Sequence, residues 1–228
     1  LAPKAEEDSF LPGKVTRIGV ISDTHHHHLE ELPPALKEML ASVDLILHMG
    51  DFVCMELLEE LRRKNNFHGI AGNHDPHSIK AILPRTDLIE VNGKRLGLLH
   101  GYWFPFFCEH RSLARFAREK VDAIIYGHTH VIRNEVSHNI LFFNPGTASA
   151  MWPAPWKTFG ILTVGDKIKG EIVELARKQK GSLEKVFDRF ITRDKIVELS
   201  CGSMRNPDYA APVPVCAAGA HLLERKQG

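Results

Sequence analysis

Cysteine is scarce in this chain. Cys54, Cys108, Cys201 and Cys216 are the four present in 228 residues, and their spacing matches neither a CxxC zinc site nor a disulfide framework. They are read as reduced thiols. Long hydrophobic runs are missing as well: nothing is apolar for long enough to span a bilayer, and residues 1–8 are charged and lack the apolar core of a signal peptide. A cytoplasmic protein without a membrane partner is expected. Charge of one sign is missing too, since 29 Lys and Arg stand against 28 Asp and Glu. With no global basic field there is no evident nucleic-acid surface, and any phosphate affinity has to be local. No internal repeat is visible. A chain of this size fits one globular domain with an appendage, and it can bury a substantial core without disulfides.

What is abundant is histidine, 14 residues, four of them consecutive: His25, His26, His27 and His28. Such a run is ordinarily a tag or a solvated tract, yet here it follows an apolar segment and an aspartate. That segment, residues 15–21 (VTRIGVI), reads as a buried strand ending at Ser22-Asp23-Thr24. Leu32-Pro33-Pro34 opens a helix with Leu32, Leu36, Met39 and Leu40 at helical spacing. Residues 44–49 form a second strand ending at Gly50-Asp51, residues 55–64 a helix with Leu57, Leu58 and Leu61 on one side, and residues 67–71 a third strand ending at Gly72-Asn73-His74-Asp75. This alternation describes βαβ units and a largely parallel sheet whose polar tips gather along one edge. Sites in open α/β sheets lie beyond the carboxyl ends of the strands.

The second half changes character. Residues 87–99 carry Asn92-Gly93 between apolar runs, a strong hairpin signal, and the second strand runs into His100-Gly101. A helix with Leu113, Phe116 and Ala117 on one face follows, and then a strand, residues 123–126, ending at Gly127-His128-Thr129-His130. Residues 131–136 pair with 140–143, and 159–164 with 168–175, giving two sheets face to face with helices outside. Residues 182–198 read as one amphipathic helix capped by Ser182, and the Pro- and Ala-rich remainder reads as a tail without a core of its own. The chain thus divides into an N-terminal arm (1–13), a domain (14–176) and a C-terminal extension (177–228).

Five strand ends bear ligand-type residues: Asp23 and His25, Asp51, Asn73 and His74, His100, and His128 with His130. Carboxylates and imidazoles suit Mn, Fe or Zn, and a carboxylate can bridge two ions. Two ions about 3.5–4 Å apart can hold the attacking and leaving oxygens of a displacement at phosphorus. Gly50, Gly72, Gly101 and Gly127 stand beside these ligands, where a residue without a side chain lets the chain turn sharply off a strand.

The order Asp-x-His, Gly-Asp, Gly-Asn-His-Asp, His-Gly, Gly-His-x-His resembles the calcineurin-like metallophosphoesterase superfamily. The Asn144-Pro145-Gly146-Thr147 turn is similar to that of its small bacterial and archaeal phosphodiesterase branch. The resemblance spans residues 15–175 and implies a four-layer α/β/β/α sandwich. It implies two divalent cations, Mn²⁺ foremost with Fe, Zn or Ni as alternatives, with Asp23, His25 and His130 on one, Asn73, His100 and His128 on the other, and Asp51 bridging. A bridging hydroxide would attack phosphorus in line, His74 would protonate the leaving oxygen, and Asp75 would orient or polarise that imidazole. The chain departs from the pattern at His26, where Gly is common, and at Tyr102, where His is frequent.

The substrate implied is a small organic phosphate or nucleotide ester. The rival reading is an interaction scaffold like the retromer subunit of the same fold, in which an incomplete ligand set accompanies a binding role; here the set is complete. His48, inside an apolar strand, is expected to be a satisfied core or supporting histidine, and His26, His27 and His28 to be solvated. The aromatic stretch 102–107 suits a substrate lip, a homo-oligomer contact or packing under the adjacent helix about equally.

Overall fold

A computed structural model of the chain describes residues 15–64, 66–101, 108–149, 156–177 and 197–199. In chain order its elements are β1 (Thr16–Ile21), α1 (Pro34–Ser42), β2 (Leu45–His48), α2 (Met55–Arg62), β3 (Phe67–Gly69), α3 (His77–Ile82), β4 (Thr86–Val91), β5 (Lys94–Leu99), α4 (Cys108–Arg115), β6 (Ala123–Tyr126), β7 (Arg133–Ser137), β8 (Ile140–Asn144), β9 (Trp156–Val164), β10 (Ile168–Arg177) and β11 (Val197–Leu199). The strands form a six-stranded sheet, β11-β10-β9-β1-β2-β3, and a five-stranded sheet, β4-β5-β6-β8-β7.

Alternation along the strands sorts their side chains into layers. On β1, Ile18 and Val20 enter the core between the sheets while Ile21 faces the helices; on β6, Ala123 and Ile125 point inward and Ile124 and Tyr126 outward. The central core joins Ile18, Val20 and Leu162 of one sheet to Leu98, Ile125 and Phe143 of the other. Outside the six-stranded sheet, α1 contributes Leu36, Met39 and Leu40, and α2 contributes Leu57, Leu58 and Leu61, all at helical spacing. Pro34 in the first turn starts α1 without losing a hydrogen bond the helix needs. Each fully buried leucine contributes about 1.5–3 kcal/mol, so Leu58→Ala would cost roughly 2–5 kcal/mol. Phe116 and partly buried Leu113 cover the far face of the second sheet. The layers are therefore α/β/β/α, as the resemblance implied.

Two details differ from the sequence reading. The first sheet is mixed: β1, β2 and β3 run parallel, but the β9–β10 hairpin adds antiparallel strands at β1. The helix expected over residues 182–198 does not reach its stated end, because Val197–Leu199 is a strand antiparallel to β10. Val-Glu-Leu alternates with period two, and an open sheet edge favours that period over a helical one. Part of the segment set apart as an extension thus adds an edge strand. The rest of that helix, the tail beyond it and the 102–107 stretch lie outside the described residues. Among the described residues no helix is long and apolar enough to cross a membrane.

Candidate metal centre

Parallel pairing puts carboxyl ends on a common edge. β1, β2 and β3 are neighbours in one sheet, and β5 and β6 are parallel neighbours in the other. The loop after each carries one of the five motifs. Backbone bonds lash these loops together: Asp23 N–H donates to the Gly50 carbonyl (3.0 Å), and Gly127 N–H to that of His100 (3.1 Å). The local price of aiming side chains this way is conformational. Asp23, His25, Asp51, His128 and His130 all have φ between 48° and 67°, the left-handed region that non-glycine residues rarely adopt.

All seven expected ligands meet at this edge. Asp23, His25 and His130 offer ligand atoms within 4.8 Å of one another, and so do Asp23, Asp51 and His100. His130 Nε2 lies 3.2 Å from Asp23 Oδ1, and His100 Nε2 lies 3.3 Å from Asp51 Oδ2. Asn73 Oδ1 joins the other two histidines, 2.9 Å from His100 Nε2 and 2.8 Å from His128 Nδ1. The residue common to both carboxylate–histidine triads is Asp23, whereas the resemblance gave the shared place to Asp51. His74 is exposed beside them, its ring centroid 5.9 Å from that of His25, and its backbone N–H donates to Asp51 Oδ1 (2.8 Å).

The electrostatics tie the buried carboxylates to their histidine neighbours. Burial alone would raise the Asp23 carboxyl, but the His130 hydrogen bond, the charges of His100 and His130 and the Ser22 hydroxyl hold it at about 2. Burial works against a charged His100 and is outweighed by the Asp51 hydrogen bond and both carboxylates, which lift it to about 9. Nδ1 of His100 faces the Met49 carbonyl and must donate there, so Nε2 can meet the carboxylates and Asn73 Oδ1 only as a second N–H or as a lone pair shared with a cation. Burial pushes His25 and His128 down, toward the neutral form that binds metals.

Divalent cations fit these residues. His25 Nε2 is buried without a hydrogen-bond partner, a costly state for an imidazole nitrogen that a cation would relieve. Mixed carboxylate, imidazole and amide donors without a thiolate suit Mn, Fe or Zn.

Residues below the cluster fix it. His48 is fully buried as expected: Gly50 N–H donates to its Nδ1 (3.1 Å), so Nε2 carries the proton toward Thr24 Oγ1 (3.1 Å), and the ring stacks on Phe52 at 3.6 Å. Burial takes its pKa down to about 3, so it stays neutral. The sequence reading missed the bracing by the Asn144 turn. Asn144 Nδ2 donates to the Gly127 carbonyl (3.1 Å), and the Thr147 and Ser149 hydroxyls donate to the Asp23 carbonyl (3.0 and 2.9 Å). The Asn-Pro-Gly-Thr tetrapeptide was the available signal. Asp75 needs correction. Its carboxylate, expected to orient His74, accepts three backbone amides instead: Asp51 (3.0 Å), Val53 (2.9 Å) and Gly72 (2.7 Å). At the rim, His28 pairs with Glu60 at 2.9 Å. Away from the edge, His68 pairs with Asp87 at 2.9 Å.

Two mixed sheets between helices, with histidines and carboxylates converging on the strand ends, define a metal-site α/β sandwich. Residues 16–167 match the model of the calcineurin-like phosphoesterase superfamily domain, and the chain belongs to that family. It is 33% identical to a probable metallophosphoesterase of Methanocaldococcus jannaschii over 168 residues, 73% of this chain and 85% of that protein. It is 28% identical to a phosphodiesterase of the same organism over 172 residues, 69% of this chain and 98% of that one. Among solved structures it is similar to wild-type Vps29 from Entamoeba histolytica complexed with Zn²⁺. That likeness has a TM-score of 0.56 at 25% identity and covers 69% of this chain and 98% of the other.

Proposed function

We propose that this chain is a metal-dependent phosphoesterase, most at home as a phosphodiesterase acting on a small organic phosphate or nucleotide ester with two divalent cations, Mn²⁺ foremost. The observation that carries this reading is the convergence of Asp23, His25, Asp51, Asn73, His100, His128 and His130 at one sheet edge, with His25 Nε2 buried and unpartnered. Two bound cations would polarise a phosphoryl oxygen and lower the pKa of water at the site. Asp23, His25 and His130 would hold one cation, and Asn73, His100 and His128 the other, with Asp51 between them.

The chain's own groups do the rest. Exposed His74 stands at the mouth, its backbone fixed by Asp51, where its imidazole can give a proton to the departing ester oxygen. Nδ1–H of His100, held by the Met49 carbonyl, keeps Nε2 turned toward the cluster. The test is hydrolysis of phosphate monoesters, diesters and nucleotides by metal-stripped and Mn²⁺-reconstituted protein.

A scaffold role of the Vps29 kind is favoured by the shared fold. The Entamoeba histolytica Vps29 is itself complexed with Zn²⁺, so turnover and not metal binding separates the two readings. Binding of a protein partner, with no hydrolysis of any ester class, would favour the scaffold.

A further inference from the structure

Among the described residues, Val53 is the one β-branched residue at positive φ. Its φ is +66°, a conformation that clashes with a branched Cβ and persists only where the surroundings impose it. Two residues before it, Asp51 has φ +60°. Both residues donate their N–H to one side chain, that of Asp75, which is 2% exposed. Asp51 N–H reaches Oδ2 at 3.0 Å and Val53 N–H reaches Oδ1 at 2.9 Å, while Gly72 N–H, from the neighbouring loop, shares Oδ2 at 2.7 Å. The two loops touch so closely there that a Cβ on Gly72 would come within 2.3 Å of Asp51 N.

We propose that Asp75 is a positioning residue acting through the backbone: by capturing the amides of Asp51, Val53 and Gly72 it holds Asp51 and Val53 left-handed and so aims the Asp51 carboxylate into the metal cluster. The inference rests on the metal-site reading above. It assigns Asp75 to the ligand loop and not to the His74 imidazole, since the hydrogen bonds its carboxylate accepts in this structure come from backbone amides. Replacing it with asparagine has a defined consequence. The one remaining oxygen can serve Asp51 and Gly72, which leaves an NH₂ group facing the Val53 N–H, donor against donor. Val53 would lose its restraint and relax, and Asp51 would swing with it.

The experiment is Mn²⁺ titration of metal-stripped full-length protein, with free Mn²⁺ followed by electron paramagnetic resonance. Asp75→Asn should weaken Mn²⁺ binding by roughly 10–100-fold, the usual consequence of removing a support behind a metal ligand. Its losses in hydrolysis should be equal for an alkyl and a nitrophenyl ester, because the ligand and not the proton donor is misplaced. Val53→Gly added to Asp75→Asn should recover part of the lost affinity, since glycine adopts positive φ without strain although its own N–H still faces the asparagine NH₂. Unchanged affinity in Asp75→Asn, or a double variant as weak as the single, would overturn the proposal. So would a loss confined to the alkyl ester, which would return Asp75 to His74. If Asp75→Asn alone fails to fold, recovery of folded protein by Val53→Gly supports the proposal, and a double variant that also stays unfolded overturns it. Wild-type protein that binds no Mn²⁺ would overturn the metal-site reading and this inference together, whereas wild-type binding with an unaffected variant overturns the inference alone.

Discussion

The same backbone conformation occurs at two kinds of place in this molecule for different reasons. At the hairpin tips, Asn92 and Gly93 (φ 50° and 73°) join β4 to β5, and His138 and Asn139 (φ 52° and 59°) join β7 to β8. Paired positive φ there follows from the right-handed twist of the strands, and residue types tolerant of it occupy the turns. At the ligand edge, Asp23, His25, Asp51, His128 and His130 are left-handed with no hairpin to close. Each such residue costs about 1–3 kcal/mol, held in place by bonds between loops distant in sequence, such as His128 N–H to Asp23 Oδ2 at 3.1 Å. One set solves a local problem of chain reversal, and the other stores strain to aim side chains.

The largest contrast is expected in activity. Asp51→Asn removes a charge between the two proposed cation sites and should cost more than the roughly 10–100-fold typical of losing an outer support. Changing His138 to asparagine at a hairpin tip should leave turnover unaltered. Steady-state hydrolysis of one diester by the two variants checks both.

His74→Asn should come next and should discriminate between substrates. Metal content stays near normal, kcat falls about 10²- to 10⁴-fold for an alkyl or nucleoside ester, and the loss is much smaller for a nitrophenyl ester whose phenolate departs unaided. Equal losses on both esters together with lost metal would make His74 a ligand.

Glycine replacements sharpen the comparison sterically. A Cβ at Gly72 would sit 2.1 Å from Asp51 Oδ1, so Gly72→Ala must displace the ligand and should abolish tight Mn²⁺ uptake. A Cβ at Gly93 would meet nothing within 4 Å, and only its φ of +73° resists a side chain. Gly93→Ala should therefore cost about 1 kcal/mol of stability and leave metal uptake intact. Thermal melts with Mn²⁺ titrations separate the two.

The smallest expected effect is on pH dependence. His100 is raised from an ordinary 6.5 to about 9, so its contribution to the metal-free fold is full below pH 6.5 and is lost as pH rises through 9. The melting temperature of metal-stripped protein should fall across that window. The same proton competes with a cation for Nε2, so Mn²⁺ affinity should rise with pH over the same range, with proton release on binding near pH 7.5. A flat affinity and no proton release would remove His100 from the ligand set.

Much of this was legible in the sequence because the chemistry sits where patterns change. Each ligand follows a short apolar run that reads as a strand, and parallel strands bring such tips to one edge without any need for loop detail. Asn92-Gly93 announced its hairpin for the same reason, since turn chemistry is local. The role of Asp75 was not legible: its partners are backbone amides, two of them 22 and 24 residues away, and an amide has no sequence signature. The strain at Val53 was hidden for a related reason, because valine is the last residue that propensity would place at positive φ. β11 was misread because three residues are too few to show a period against a longer helical pattern.

The most direct test of the central claim is diester hydrolysis by protein stripped with a chelator and then titrated with Mn²⁺. The expected result is no turnover in the stripped protein and activity that rises to saturation near roughly two equivalents of metal, as a two-cation site requires. Full turnover by the stripped protein, or saturated binding with no hydrolysis of any ester, would contradict it.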